Sequence, residues 1–257
     1  MPAPSFAARK ATYADQWSRM KVETAYVVDK AAWTLVHNKA RYQAVADKVG
    51  CPWFFIACCH WREASGSFAG VLHNGEKIIG TGKKTRLVPK GRGPFKSWEE
   101  AAIDALSIPP HDMSKVKIDS IERFAYESEK FNGFGYALYH PTVPSPYLWS
   151  YSNIYTRGKY TSDGDFDPTV KDPQIGVMPL LKRMMVLDAT IGFGPAQPDV
   201  QPTPTLPPRP PFTPTRNPEN NGDLTFPPEP KPKGGLIAAL VILAIIIAVL
   251  WLTFGAS

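Results

Sequence analysis

Glu63 is the residue best placed to do chemistry. It lies in WFFIACCHWRE, a run apolar nearly all round, and is followed by the chain-turning Ser65-Gly66-Ser67. A carboxylate held among residues such as Ile56 and Trp61 loses hydration, which is costly unless it is paired or protonated. That penalty raises its pKa, as a general acid at neutral pH requires. The structural alternative is an ion pair to Arg62 or to a distant lysine. His60-x-x-Glu63 also sets two metal-ligand types on one helix face. Ala64 follows Glu63, however, so neither HExxH nor HxxEH is present, and no metal is expected. Asp163-Gly164-Asp165-Phe166-Asp167 is similar to a calcium loop. Gln174 stands where its twelfth-position glutamate belongs, so a solvated turn is expected.

The elements that would position Glu63 are mostly helical. Trp17, Met20, Thr24, Val27, Ala31 and Leu35 recur at three and four and predict one amphipathic helix. Tyr42, Val45 and Val49 predict a second, ended by Gly50, and Pro52 opens the apolar helix that carries Glu63. GVLHNG, EKIIGTG and KKTRLVP, broken by glycine, predict a small β-hairpin region. Ser97-x-x-Glu100 is a capping box opening a helix through Leu106. Ser114 is expected to open another, running to Lys130 with Ile118, Ile121 and Ala125 inward. A final helix is expected near Gln174–Leu187. The fold class is α+β, mostly α.

The charge and the cysteines narrow the function classes. The formal net charge is +6. The four basic and four acidic residues after 194 cancel, so the excess belongs to the head. A modest positive excess suits an acidic polymer, whether nucleic acid, anionic lipid or bacterial wall, or is an ordinary solvated surface. No nucleic-acid-binding motif is present, and nucleic acid is not an expected partner. Lys83, Lys84, Arg86, Lys90 and Arg92 form a basic edge that could meet wall or lipid phosphates or simply be solvated. Three cysteines, two of them the adjacent Cys58 and Cys59, are expected to be reduced core thiols.

Beyond residue 194 the composition changes. Residues 195–234 hold 14 of the 27 prolines, including PTPTLPPRPPFTPT and PPEPKPK. Such a stretch favours extended polyproline II and is expected to be a disordered, semi-rigid spacer. Its PxxP patterns would alternatively serve proline-binding domains. Leu236–Phe254 reads LIAALVILAIIIAVLWLTF, uncharged and proline-free, and predicts one transmembrane helix acting as a C-terminal tail anchor. The start, MPAPSFAARK, lacks the apolar run of a signal peptide. Lys231 and Lys233 flank the anchor on its N-terminal side, which by the positive-inside rule puts the head in the cytoplasm. The expected division is residues 1–39 as an N-terminal helical extension, 40–194 as the catalytic domain, 195–235 as linker and 236–254 as membrane helix.

His60-Trp61-Arg62-Glu63-Ala64-Ser65, ending a buried helix before a glycine-rich hairpin, resembles the lysozyme-like superfamily of phage lysozymes, goose-type lysozymes and lytic transglycosylases. Phe131-Asn132-Gly133-Phe134-Gly135-Tyr136 is similar to the Tyr-Asn-x-Gly stretch of lytic transglycosylases. Leu72-His73-Asn74-Gly75, Val88-Pro89-Lys90-Gly91-Arg92 and Ser145-Pro146-Tyr147-Leu148-Trp149-Ser150 resemble phage and bacterial lysozyme-like proteins. The resemblance covers about residues 40–190. It implies a lysozyme-like fold and cleavage of the β-1,4 bond between N-acetylmuramic acid and N-acetylglucosamine, without a cofactor. Glu63 would protonate the leaving oxygen.

An inverting hydrolase also needs a base that holds water, with carboxylates roughly 6.5–9.5 Å apart. Glu76 is then the best-placed candidate, and Thr85 would help hold the water. The phage Glu-x8-Asp-x5-Thr pattern is absent, because Leu72 and Ile78 occupy those places. With no second carboxylate, a transglycosylase mechanism is open, in which the substrate's own 6-hydroxyl attacks. His60, His73 and Asn74 would line the groove, and Asn132 would donate to an N-acetyl carbonyl. Tyr136, Tyr147 and Trp149 would stack on pyranose faces or be core. The partners implied are a peptidoglycan strand and, through Leu236–Phe254, the lipid bilayer of a host cell or of a virion's internal membrane. The rival reading is a non-catalytic wall-binding or structural membrane protein of a virion on the same fold.

Overall fold

The computed structural model describes residues 2–162 and 164–193. The linker and the Leu236–Phe254 segment lie outside the described residues. Among those described, no helix is long and apolar enough to cross a membrane. Nine helices and one two-stranded antiparallel hairpin are described, an α+β architecture dominated by α.

The middle of the fold is α4 (Trp53–Ala64), whose first eight residues, Trp53 to His60, are all buried. A helix apolar on every side must be surrounded, and neighbours cover it on all sides. These are α2 (Ala25–His37), α3 (Lys39–Val49), α6 (Ile121–Asn132) and α9 (Val177–Leu187). Gly50 ends α3 in the left-handed region at φ 77°, as the sequence predicts. Ser97 caps α5 (Trp98–Ser107) by accepting the Glu100 N–H at 3.1 Å. Cys51, Cys58 and Cys59 are free, buried thiols.

Four expectations need correction. The long first helix is two, α1 (Phe6–Arg19) and α2, separated at Met20–Thr24. Val22 bridges Ser152 there, Thr24 takes φ 50°, and Val27 is 39% exposed rather than inward. The helix expected from Ser114 starts at Ser120 instead, whose hydroxyl accepts the Arg123 N–H. Ser114 is held in a turn by Asp112. The glycine-rich stretch after α4 forms turns with a single isolated bridge, Gly70 to Lys77, and no strand. The described hairpin lies later, pairing β1 (Lys159–Ser162) with β2 (Asp165–Asp167). The final helix starts at Val177, three residues after Gln174.

The first 39 residues share the main core. Tyr13, Met20, Val28, Ala31 and Leu35 belong to the same hydrophobic cluster as Phe55 and Ile56. Helix α1 lies on α6, and the Tyr13 hydroxyl donates to the buried Glu129 carboxylate. Helix α2 lies on α9, with Asp29 paired to Arg183.

Candidate functional site

The end of α4 is built so that its neighbouring charges diverge. Ser65 and Gly66 both adopt positive φ, and their N–H groups return to the Trp61 and His60 carbonyls. This reverses the chain within three residues. Gly70 then comes back against Ala64, where an added Cβ would sit 2.9 Å from the alanine methyl. Gly75 comes closer still: a Cβ there would lie 2.2 Å from the Glu63 carbonyl oxygen, and its φ is +74°. Only glycine fits that approach. The 70–76 turn is therefore seated on the main chain of Glu63.

Glu63 is a half-buried residue whose carboxyl is densely surrounded by protein. Burial pushes its pKa up to about 7, against the smaller downward pull of Arg62 and of a hydrogen bond from Tyr147. That bond runs from the Tyr147 hydroxyl to Glu63 Oε1 at 3.3 Å. Among the described residues Glu63 has no ion-pair partner. Arg62 turns the other way, donating to Asp172 at 2.9 Å and to the Gln174 carbonyl at 3.2 Å, with its guanidinium over the Tyr147 ring. Asp172 is 2% exposed and also binds Lys159 at 2.9 Å. Those two cations hold its carboxyl below the usual range despite burial. The result is a carboxyl that retains its proton near neutrality beside an arginine already engaged elsewhere.

Glu76 sits on the turn that Gly75 seats against Glu63. Its Oε2 accepts from the Arg86 and Leu87 N–H groups at 2.9 Å each and from the Asn74 amide at 3.3 Å. Asn74 is 1% exposed and also accepts the Glu76 N–H, so it folds the turn from inside. Thr85 is buried. Its hydroxyl donates to the Pro89 carbonyl and accepts the Arg92 N–H, so both of its capacities serve the loop.

His73 is buried against Phe95 and bonded through Nε2 to Asp104 at 2.8 Å. Arg92 clamps the same carboxylate, while His73 Nδ1 has no hydrogen-bond partner among the described residues.

The remaining expected site residues fall in two groups. His60 is fully buried, with Nε2 facing the Ser67 carbonyl at 3.1 Å and Nδ1 facing the Tyr42 hydroxyl at 2.9 Å. A carbonyl only accepts, so Nε2 carries a hydrogen. Burial lowers its pKa to about 4. One nitrogen thus holds the turn after α4 and the other ties α4 to α3, so neither is available to a sugar or a metal. Tyr136, Tyr147 and Trp149 are 7%, 2% and 1% exposed, so their rings belong to the core and do not present a stacking face. Tyr136 accepts the Tyr160 N–H, whereas Tyr147 reaches Glu63. Asn132 closes α6 as a half-buried residue, and no hydrogen bond links it to Glu63. Among the described residues no group of three or more His, Cys, Asp or Glu could hold a metal ion.

Sequence reasoning missed Asp172 and Asp104, which come 110 and 31 residues after the side chains they hold, Arg62 and His73. No local pattern marks such pairs. No family model matches the chain, and no curated protein or solved structure matches it.

Proposed function

We propose that the chain is a peptidoglycan-cleaving glycosidase of lysozyme-like fold, with Glu63 as its general acid. The observation that supports this is the Glu63 carboxyl itself, on a half-buried residue at the end of α4 and pushed up by burial to about pKa 7. At neutral pH a substantial fraction is protonated, and a proton held there suits delivery to a glycosidic oxygen. The 70–76 turn seated on Glu63 would form one wall of the groove, in line with the family resemblance. The proline-rich linker and Leu236–Phe254 would tether this head to a host or virion membrane. The flanking lysines favour a cytoplasmic head and the wall lies outside, so the reading requires a lysis step that lets the head through, insertion of the anchor during virion assembly, or an exception to the charge rule.

Between the two chemistries, the bonding of Glu76 favours the one-carboxylate route. One of its oxygens is taken by three N–H donors that shape the loop, which suits a structural clamp better than a base holding water. In that route Glu63 gives its proton to O4 of N-acetylglucosamine as the bond to C1 of N-acetylmuramic acid breaks. The muramic 6-hydroxyl attacks C1, closing a 1,6-anhydro ring, and its proton returns to the Glu63 carboxylate.

Digestion of purified wall by the full chain, followed by mass spectrometry, tests both levels. Products with 1,6-anhydro ends are expected, and Glu63→Gln should abolish them while leaving the circular-dichroism spectrum unchanged. Reducing ends would assign a hydrolase. Equal release, or none, from both proteins would sink the enzyme in favour of a non-catalytic wall-binding or virion structural protein.

A further inference from the structure

We propose that residues 77–96 form a recognition surface for the carboxylates of the peptide stems on the glycan strand, holding that strand by its acidic substituents while a sugar bond lies at Glu63. This rests on the glycosidase reading and adds what the substrate must carry.

The segment contains Lys77, Lys83, Lys84, Lys90 and Lys96, with Arg86 and Arg92, and no acidic residue. The chain has 29 Lys and Arg against 23 Asp and Glu. Without these seven cations the rest holds 22 against 23, a net charge of −1. The whole positive excess therefore sits in twenty residues. All five lysines are exposed, and none has a side-chain hydrogen bond or ion pair among the described residues. Arg86 is 93% exposed and only grazes Glu76, at 3.7 Å; Arg92 is spent on Asp104. The other carboxylates bordering the segment are occupied too, Glu99 by Arg41 and Glu100 by the Lys96 N–H. Among the described residues nothing neutralises the five lysines.

The segment is also held in place. Thr85 and Arg92 close it with main-chain bonds of 2.8–3.0 Å, and Gly80 bonds to the Phe95 carbonyl. Glu76 binds its Arg86 and Leu87 N–H groups, and the Glu76 turn is seated on Glu63 through Gly75. The basic segment is thereby tied to the turn packed against the end of the Glu63 helix.

Scattered, flexible ammonium groups suit several separate anions spaced along a polymer. A membrane surface would call for apolar side chains to insert beside the charges. The large exposed hydrophobics Tyr26, Val27, Tyr139 and Val186 all lie outside the segment. Single-stranded nucleic acid would call for exposed aromatic platforms, and Phe95, the segment's one aromatic, is buried.

The test uses the full chain in detergent with Glu63→Gln, so that binding is read without cleavage. A second protein adds Lys83→Gln, Lys84→Gln and Lys90→Gln. Cosedimentation is measured with intact sacculi, with sacculi freed of phosphate polymers, and with sacculi whose stem carboxylates have been converted to amides. On the first two the triple variant should bind about tenfold more weakly at low salt, a gap that closes as salt rises. On amidated sacculi the two proteins should bind alike. Equal binding to unmodified walls overturns the proposal. So does a gap that persists on amidated sacculi, disappears with the phosphate polymers, or occurs only on anionic vesicles or nucleic acid. Failure of the glycosidase reading would show separately, as absence of product from the protein with Glu63 intact.

Discussion

Gly75 and Glu63 are in main-chain contact: a Cβ on the glycine would fall 2.2 Å from the glutamate's carbonyl oxygen. The contact is between backbones, so neither side chain can relieve it by changing rotamer. It fixes the distance between the helix that ends at the proposed acid and the turn that carries Glu76 and the basic segment.

Gly75→Ala should therefore be costly. The left-handed φ costs a non-glycine residue about 1–2 kcal/mol, and the clash requires the turn to lift away. A total loss of about 3 kcal/mol is expected in urea denaturation, with the wall-cleaving activity falling as well. An unchanged denaturation midpoint would mean that the turn is not seated where it is described.

The raised pKa of Glu63 has a signed consequence for stability. The folded protein holds this proton more tightly than the unfolded chain, about 7 against the model-peptide 4.5. Below pH 4.5 both states are protonated and the difference vanishes. Above 7 both are ionised, and the native state carries the whole burial penalty. Stability should thus rise as pH falls from 7 to 4.5, by on the order of 3 kcal/mol from this group. Glu63→Gln should remove that dependence, and denaturation curves at the two pH values measure it. Cleavage should fall as pH climbs through 7, because the proton to be delivered is lost.

Asp172 keeps Arg62 occupied. Asp172→Asn leaves a guanidinium 7% exposed and the Lys159 ammonium without a counter-charge. Stripping one partner from such a buried pair costs about 3–5 kcal/mol. The freed Arg62 is drawn to its neighbour, so the Glu63 carboxyl should ionise at lower pH, as carbon-13 NMR of that side chain would report. A loss of stability with an unmoved Glu63 titration would show that Asp172 is a strut only.

What could be read in the sequence is what local chemistry decides. Gly50 at the end of α3, the Ser97 cap and the all-round apolar face of α4 each announce themselves within a few residues. Glu63 was legible because a carboxylate in that run is a local contradiction. The breaks and pairings set at a distance were not legible. The helical period runs straight through Met20–Thr24, and main-chain pairing of residues 21–23 with 151–153 interrupts it. The glycines after α4 suggest a hairpin, but their positive φ values make consecutive turns, whose polar groups are met by Asn74, Glu76 and Thr85. His60 and Tyr147 looked like groove residues because neither shows, in sequence, that its polar atoms already have partners.

The joining of the two ends of the head bears on how it is made. Tyr13 and Glu129 are 116 residues apart, and Asp29 and Arg183 are 154 apart. Helices α1 and α2 are thus completed by α6 and α9, which follow them far along the chain. Contacts of such long sequence separation must pay their loop-closure entropy before they are rewarded. Assembly of this core is consequently a collective event, with α1 and α2 waiting, apolar faces uncovered, until α6 and α9 are made.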